Sequence, residues 1–141
     1  MTEIVLQNPN RYPEASARPL RPWLRDLLAA LSPEAESFGV RFASDREVRR
    51  ANRSFRGKDK TTDVLSFPGE EGGHLGDVLI SVPQARRQAE EAGHPVSREL
   101  KVLLLHGVLH CMGYDHETDQ GEMERLERRL RRTWIRERDD A

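Results

Sequence analysis

The stretch HGVLHCMGYDH, residues 106–116, carries three of the five histidines in a chain of 141 residues. On an α-helix, His106 and His110 stand one turn apart and project from the same face. Two imidazoles so arranged approach one metal ion from adjacent directions. Gly113 follows three residues later and can take the left-handed conformation that ends a helix. The chain then folds back, and His116 supplies a third nitrogen. Three neutral nitrogens suit Zn²⁺ at about 2.0–2.1 Å and leave a fourth position for water, the mark of a catalytic site rather than a closed structural one. Nickel accepts imidazole as well, so the ligand set alone leaves the metal open.

A single histidine in an apolar helix is ordinarily a buried residue bonded to a backbone carbonyl. Three at these offsets call for a ligand reading. His74 and His94 fall outside that register and read as loop or strand-end residues. Cys111 sits about 100° round the helix from His110 and reads as a small core hydrophobe rather than a fourth ligand. Tyr114 and Asp115, in the turn before His116, can orient a ligand imidazole or the water. They can equally cap the turn. The position where peptidases of the H-E-x-x-H type carry their general base is Gly107 here, which disfavours peptide hydrolysis.

These residues need elements to hold them. The segment SRELKVLLLHGVLHCM (97–112) is apolar nearly all round, the pattern of a buried helix. Asp119 and Glu122 suggest a capping box, followed by a stripe of Met123, Leu126, Leu130 and Trp134. Upstream, residues 4–7 can form an edge strand. Leu20, Trp23, Leu24, Leu27, Leu28 and Leu31 recur at helical spacing, with Pro22 expected in the first turn. Residues 38–43 alternate as a half-buried strand does. Ser44 and Glu47 read as a capping box that opens a helix burying Val48, Ala51 and Phe55 and stopping at Gly57. Segments 61–67 and 75–81 are strand-like, and a helix over about 83–91 ends at Gly93. Strands interleaved with helices predict an α/β (α+β) domain with a small mixed sheet of about four strands.

Length and composition set the frame. The chain is expected to be one domain, 1–141, burying roughly two-thirds of its unfolded surface. Hydrophobic residues are 36% and charged residues 33% of the chain, which is not the composition of a disordered polymer. No segment approaches the ~20 apolar residues of a membrane span, the N-terminus lacks the order of a secretion signal, and the one cysteine fits a reducing compartment. A cytoplasmic location is the resulting expectation. The net charge of −1 favours no partner, but eight basic residues against three acidic ones lie between Arg41 and Lys60, whereas residues 117–124 carry only acidic charge. Such asymmetry is compatible with a polyanion on one face, and equally with a solvated helix in an arginine-rich chain.

HGVLHCMGYDH closely resembles the H-G-x-L-H-x-x-G-Y-D-H signature of the YbeY-type endoribonucleases, the bacterial rRNA maturation factors. FRGKDKTTDVLSFP (55–68) and LGDVLIS (75–81) agree with the same family in order, and the likeness runs from about Val40 to Trp134. Departures are mild: Cys111 where the family commonly has an apolar residue, and Thr61 where proline is frequent. The resemblance implies one zinc ion held by His106, His110 and His116. It implies cleavage of single-stranded RNA, processing of ribosomal RNA including the 3′ end of the small-subunit RNA, ribosome quality control, and the small ribosomal subunit and assembly factors as partners. The family's arginine falls on Arg56, at a helix end in the basic region, where a guanidinium can grip a phosphate bidentately. Its bland role is favourable charge at a helix C-terminus. With Gly107 unable to accept a proton, the acceptor is left open: Asp115 in that part, or the substrate's own 2′-hydroxyl as nucleophile. Two other readings stay open: a non-catalytic assembly factor stabilised by zinc, and a zinc hydrolase of another small substrate.

Overall fold

The computed structural model describes residues 1–70 and 72–135; Glu71 and the last six residues of the expected 1–141 domain lie outside the described residues. Strand β1 (Glu3–Gln7) leads through a single 3₁₀ turn (Pro13–Ala15) into α1 (Ala17–Leu31), followed by β2 (Ser37–Ala43) and α2 (Asp45–Arg56). Strands β3 (Val64–Pro68) and β4 (His74–Ser81) come next, then α3 (Val82–Ala92), α4 (Val96–Cys111) and α5 (Glu122–Trp134). The four strands form one mixed sheet in the order β1-β2-β4-β3. β1 and β4 run parallel to β2, and β3 runs antiparallel to β4. The expected class and strand number hold, and residues 4–7 are an edge strand as anticipated.

The main core lies between one sheet face and helices α1, α4 and α5. Phe38, Val40 and Phe42 of β2 and Val78 and Ile80 of β4 meet Leu20, Leu24, Leu27 and Leu28 of α1 and Leu104, Leu105, Val108 and Leu109 of α4. A smaller cluster on the opposite face joins Val48 of α2 to Ala43, Leu65 and Leu79. The outward side of β2 is only partly covered: Ala43 lies under Val48 of α2, whereas the Arg41 side chain stays 40% exposed.

Three local expectations are corrected. Pro22 is not in the first turn: α1 begins at Ala17, so Pro22 lies inside the helix, where the flanking leucines that pack into the core outweigh one missing N–H. Asp119 and Glu122 do not form a capping box. The residue before α5 is Gly121, and Asp119 instead accepts the amides of Gly121 (2.8 Å) and Met123 (2.9 Å) from outside the helix. Phe55 is not buried; Val48 and Asn52 take the inner face of α2, and Phe55 is 72% exposed. Ser44 does cap α2, accepting the Glu47 amide at 3.2 Å, and Gly57 ends it at φ 69°.

Candidate metal centre

Helix α4 is pinned by its own apolarity. Leu100, Leu104, Leu105, Val108 and Leu109 are fully buried, so the helix cannot rotate without exposing one of them. That fixes the remaining direction, the one taken by His106 and His110. Gly107, between them, lies where α4 crosses the sheet: a Cβ there would stand 2.7 Å from Val78 Cγ2 and 3.0 Å from Cγ1. The position that carries a glutamate in H-E-x-x-H peptidases thus faces the sheet and has room for no side chain.

After Cys111 the helix unwinds. Gly113 takes φ 104°, and the Tyr114 amide donates to the Leu109 carbonyl at 3.1 Å. Asp115 then holds the turn together. Its Oδ1 accepts the Glu117 amide at 3.0 Å, and its carbonyl accepts the amides of Thr118 and Asp119 at 3.2 and 3.1 Å. This reversal brings His116 back over α4.

The three imidazoles converge. Ring centroids are 4.7 Å apart for His106–His110 and 5.5 Å for each pair with His116. One nitrogen from each ring lies within 4.8 Å of the others, and the group can hold a metal ion; among the described residues it comprises these three side chains. The electrostatics fit a cation. Burial first, then the neighbouring rings of His106 and His116, lowers the His110 pKa, with Asp115 and Glu127 pulling the other way. His110 therefore stays neutral, with a lone pair to give, at pH values where an ordinary histidine begins to protonate.

His106 has a partner the sequence reading missed. Its Nδ1 lies 2.8 Å from Glu127 Oε1. Burial pushes the Glu127 pKa up, but the His106 hydrogen bond and charge, with Arg131 and His116, outweigh it and leave the carboxyl below its ordinary value. The ionised carboxylate accepts, so His106 carries its proton on Nδ1 and turns Nε2 toward the other two rings. An acid at position 127, four residues after Met123 and three before Leu130 on the apolar stripe of α5, was the available clue.

The cluster opens into a cleft of about 680 Å³ that runs along the free edge of β3. His106, His110, Asp115, His116 and Glu117 line it together with β3 and its lead-in from Thr62 to Phe67 and with Phe55 and Arg56. Arg56, the last residue of α2, has Nη2 4.0 Å from Glu117 Oε1, with both side chains about half exposed or more. Pairing of Asp63 with Ser81 and of Gly69 with Leu75 points those peptide groups at β4, so those of Val64 and Ser66 turn to the cleft.

The other expected residues fall outside the cluster. Cys111 is buried over Gly76; burial, then the charge of Asp77, pushes its thiol up to about 12, so it packs as a neutral hydrophobe. His74 bonds Ser37 Oγ at 2.7 Å and Asp77 at 2.9 Å. His94 joins the buried Glu99 at 2.7 Å across the turn between α3 and α4.

Comparison with known proteins agrees with this architecture. The chain is 53% identical over 94 residues to the endoribonuclease YbeY of Solibacter usitatus, covering 67% of this chain and 63% of the relative. To the endoribonuclease YbeY of Aquifex aeolicus it is 48% identical over 112 residues, covering 77% and 74% of the two chains. In the relatives from Solibacter, Koribacter versatilis and Nautilia profundicola the match spans 63%, 60% and 63% of their length. The solution structure of TM1509 from Thermotoga maritima superposes with a TM-score of 0.66 at 27% identity, covering 95% of this chain and 89% of that one. The profile of the family described as endoribonuclease YbeY matches residues 6–134, starting well before the Val40 where the motif likeness begins. With its fold and nearly its whole length in agreement, the chain belongs to the endoribonuclease YbeY family.

Proposed function

We propose that this chain is a zinc-dependent endoribonuclease of one domain, 1–141, that cuts single-stranded RNA in the cytoplasm. Its substrate is ribosomal RNA, including the 3′ end of the small-subunit RNA, and its partners are the small ribosomal subunit and its assembly factors, in maturation and quality control. One observation carries the reading: three imidazole nitrogens converge within 4.8 Å in a cleft that Arg56 also lines. The names of the relatives supply the substrate class.

His106, His110 and His116 hold the ion, with Glu127 fixing the ring of His106. Zinc so bound supplies Lewis acidity and a lowered pKa for water. Arg56 grips the scissile phosphate and offsets the charge gathering on its oxygens, an electrostatic contribution set up before reaction. Asp115 spends one carboxylate oxygen on the Glu117 amide and accepts the proton of the attacking oxygen with the other. As that oxygen bonds to phosphorus, the P–O bond to the leaving sugar breaks and the sugar oxygen takes a proton from water. Arg46, Arg50 and Arg53 stand at three- and four-residue spacing along α2, one to three turns before Arg56, and hold neighbouring phosphates without reading sequence.

The test is His110→Ala. The variant loses stoichiometric zinc, measured by elemental analysis, together with cleavage of a single-stranded RNA. Cleavage persisting in metal-free variant protein overturns the assignment.

A further inference from the structure

Phe55 is where a core residue should not be. Phe38 and Phe42 are fully buried, yet Phe55 leaves 72% of its surface to water at the C-terminal end of α2. Its spacing from Val48 and Ala51 would let it pack inward, but Asn52 takes that position and donates to the Lys60 carbonyl at 2.9 Å. Phe55 is not loose, however. It meets Phe67 of β3 edge-on, with centroids 5.2 Å apart and ring planes at 67°. Phe67 thereby braces Phe55 while the Phe55 ring keeps most of its surface open. A large apolar side chain held rigid and bare is the informative exception to burial.

Its neighbours say what it faces. Phe55 precedes Arg56 and lines the same cleft as the three histidines. Along β3, Ser66 turns its backbone donor and acceptor outward and Val64 its carbonyl, while the Val64 amide donates to Asp63 Oδ1 at 2.8 Å. An aromatic plane, a guanidinium and polar groups in one cleft match the three parts of a nucleotide: base face, phosphate and base edge. A base inside a duplex offers no free face, whereas an unstacked base does.

We propose that Phe55, braced by Phe67, is a stacking platform for the base beside the phosphate gripped by Arg56, and that this contact selects single strands. The proposal rests on the ribonuclease reading, which it deepens by adding a specificity residue. Phe55 touches the substrate base and takes no part in moving protons.

The experiment uses the intact, zinc-loaded chain and a short single-stranded RNA carrying one 2-aminopurine, with the quench read before the strand is cut. Binding quenches the fluorophore. Phe55→Ala loses the quench and binds roughly ten-fold more weakly, on the scale of one lost base–aromatic stack, while Phe55→Trp restores both. An abasic site in place of the fluorescent base abolishes the affinity difference between the parent and Phe55→Ala. Unchanged quench and affinity in Phe55→Ala overturn the stacking role and leave the ribonuclease reading standing. So does an equal loss on abasic and intact strands, which would assign Phe55 to a different surface, such as a protein contact. Failure of the parent chain to bind the strand at all overturns both. Because Phe55 is exposed, the variant melts with the parent, and its thermal transition verifies that.

Discussion

His106 donates to Glu127 at 2.8 Å, and the consequences are measurable at the level of one side chain. An ionised carboxylate behind a ligand imidazole fixes its tautomer and makes its free nitrogen more basic. Glu127→Ala is therefore expected to weaken zinc binding by about 10- to 100-fold, read by competition with a chromophoric chelator. Glu127→Gln, which still accepts from Nδ1 without the charge, falls between the parent and the alanine variant. Equal affinity in all three would make the contact structural only. The sequence showed the histidine triad because its spacing is local: one helical turn, then one glycine. It did not show Glu127, because a contact spanning 21 residues depends on how α5 lies across α4.

At the scale of the element, the site depends on how closely α4 can approach the sheet. Gly107 permits that approach, with Val78 Cγ2 2.7 Å from where its Cβ would be and Val78 itself buried. Gly107→Ala sets two effects against each other. Alanine improves helix propensity by about 1 kcal/mol, while overpacking a filled core costs about 1–3 kcal/mol. The neighbour cannot give way, so the variant is expected to lose net stability, by up to about 2 kcal/mol, in urea unfolding. It should also shift His106 and His110 outward together and weaken zinc binding. A variant more stable than the parent would show that the helix has slack. From sequence, Gly107 registered only as a missing general base; its packing role required the sheet to be present.

Over the whole molecule, Asp45 ties together elements that lie far apart in the chain. At the start of α2 it accepts from Ser81 Oγ at the end of β4 (2.7 Å), from Arg87 of α3 (2.9 and 3.0 Å) and from Thr61 before β3 (3.3 Å). Burial raises its pKa, and these hydrogen bonds and the Arg87 charge outweigh that to leave it below the ordinary aspartate value. A depressed pKa in the folded state stabilises the fold above the unfolded value of about 4 and loses that contribution as pH falls through the lower, folded value. Asp45→Asn is expected to lower stability at pH 7 and to flatten its decline below about pH 4, followed by urea titration at both pH values. An unchanged acid limb would mean that other carboxylates carry it.

The sequence by itself determined the histidine triad, the helix that bears it, the glycine that turns the chain back, and the α/β class with four strands. Each is written in contacts only a few residues apart, where helical and strand periodicity act directly. Tertiary structure alone decided which side of α2 is buried, hence that Phe55 stays in water. It also decided that Asp119 caps α5 from outside the helix, that Gly107 faces the sheet, and that Glu127 of α5 meets His106 while Arg56 of α2 lines the same cleft. Those outcomes turn on which surfaces of separately formed elements are left to cover one another, and no local period encodes that.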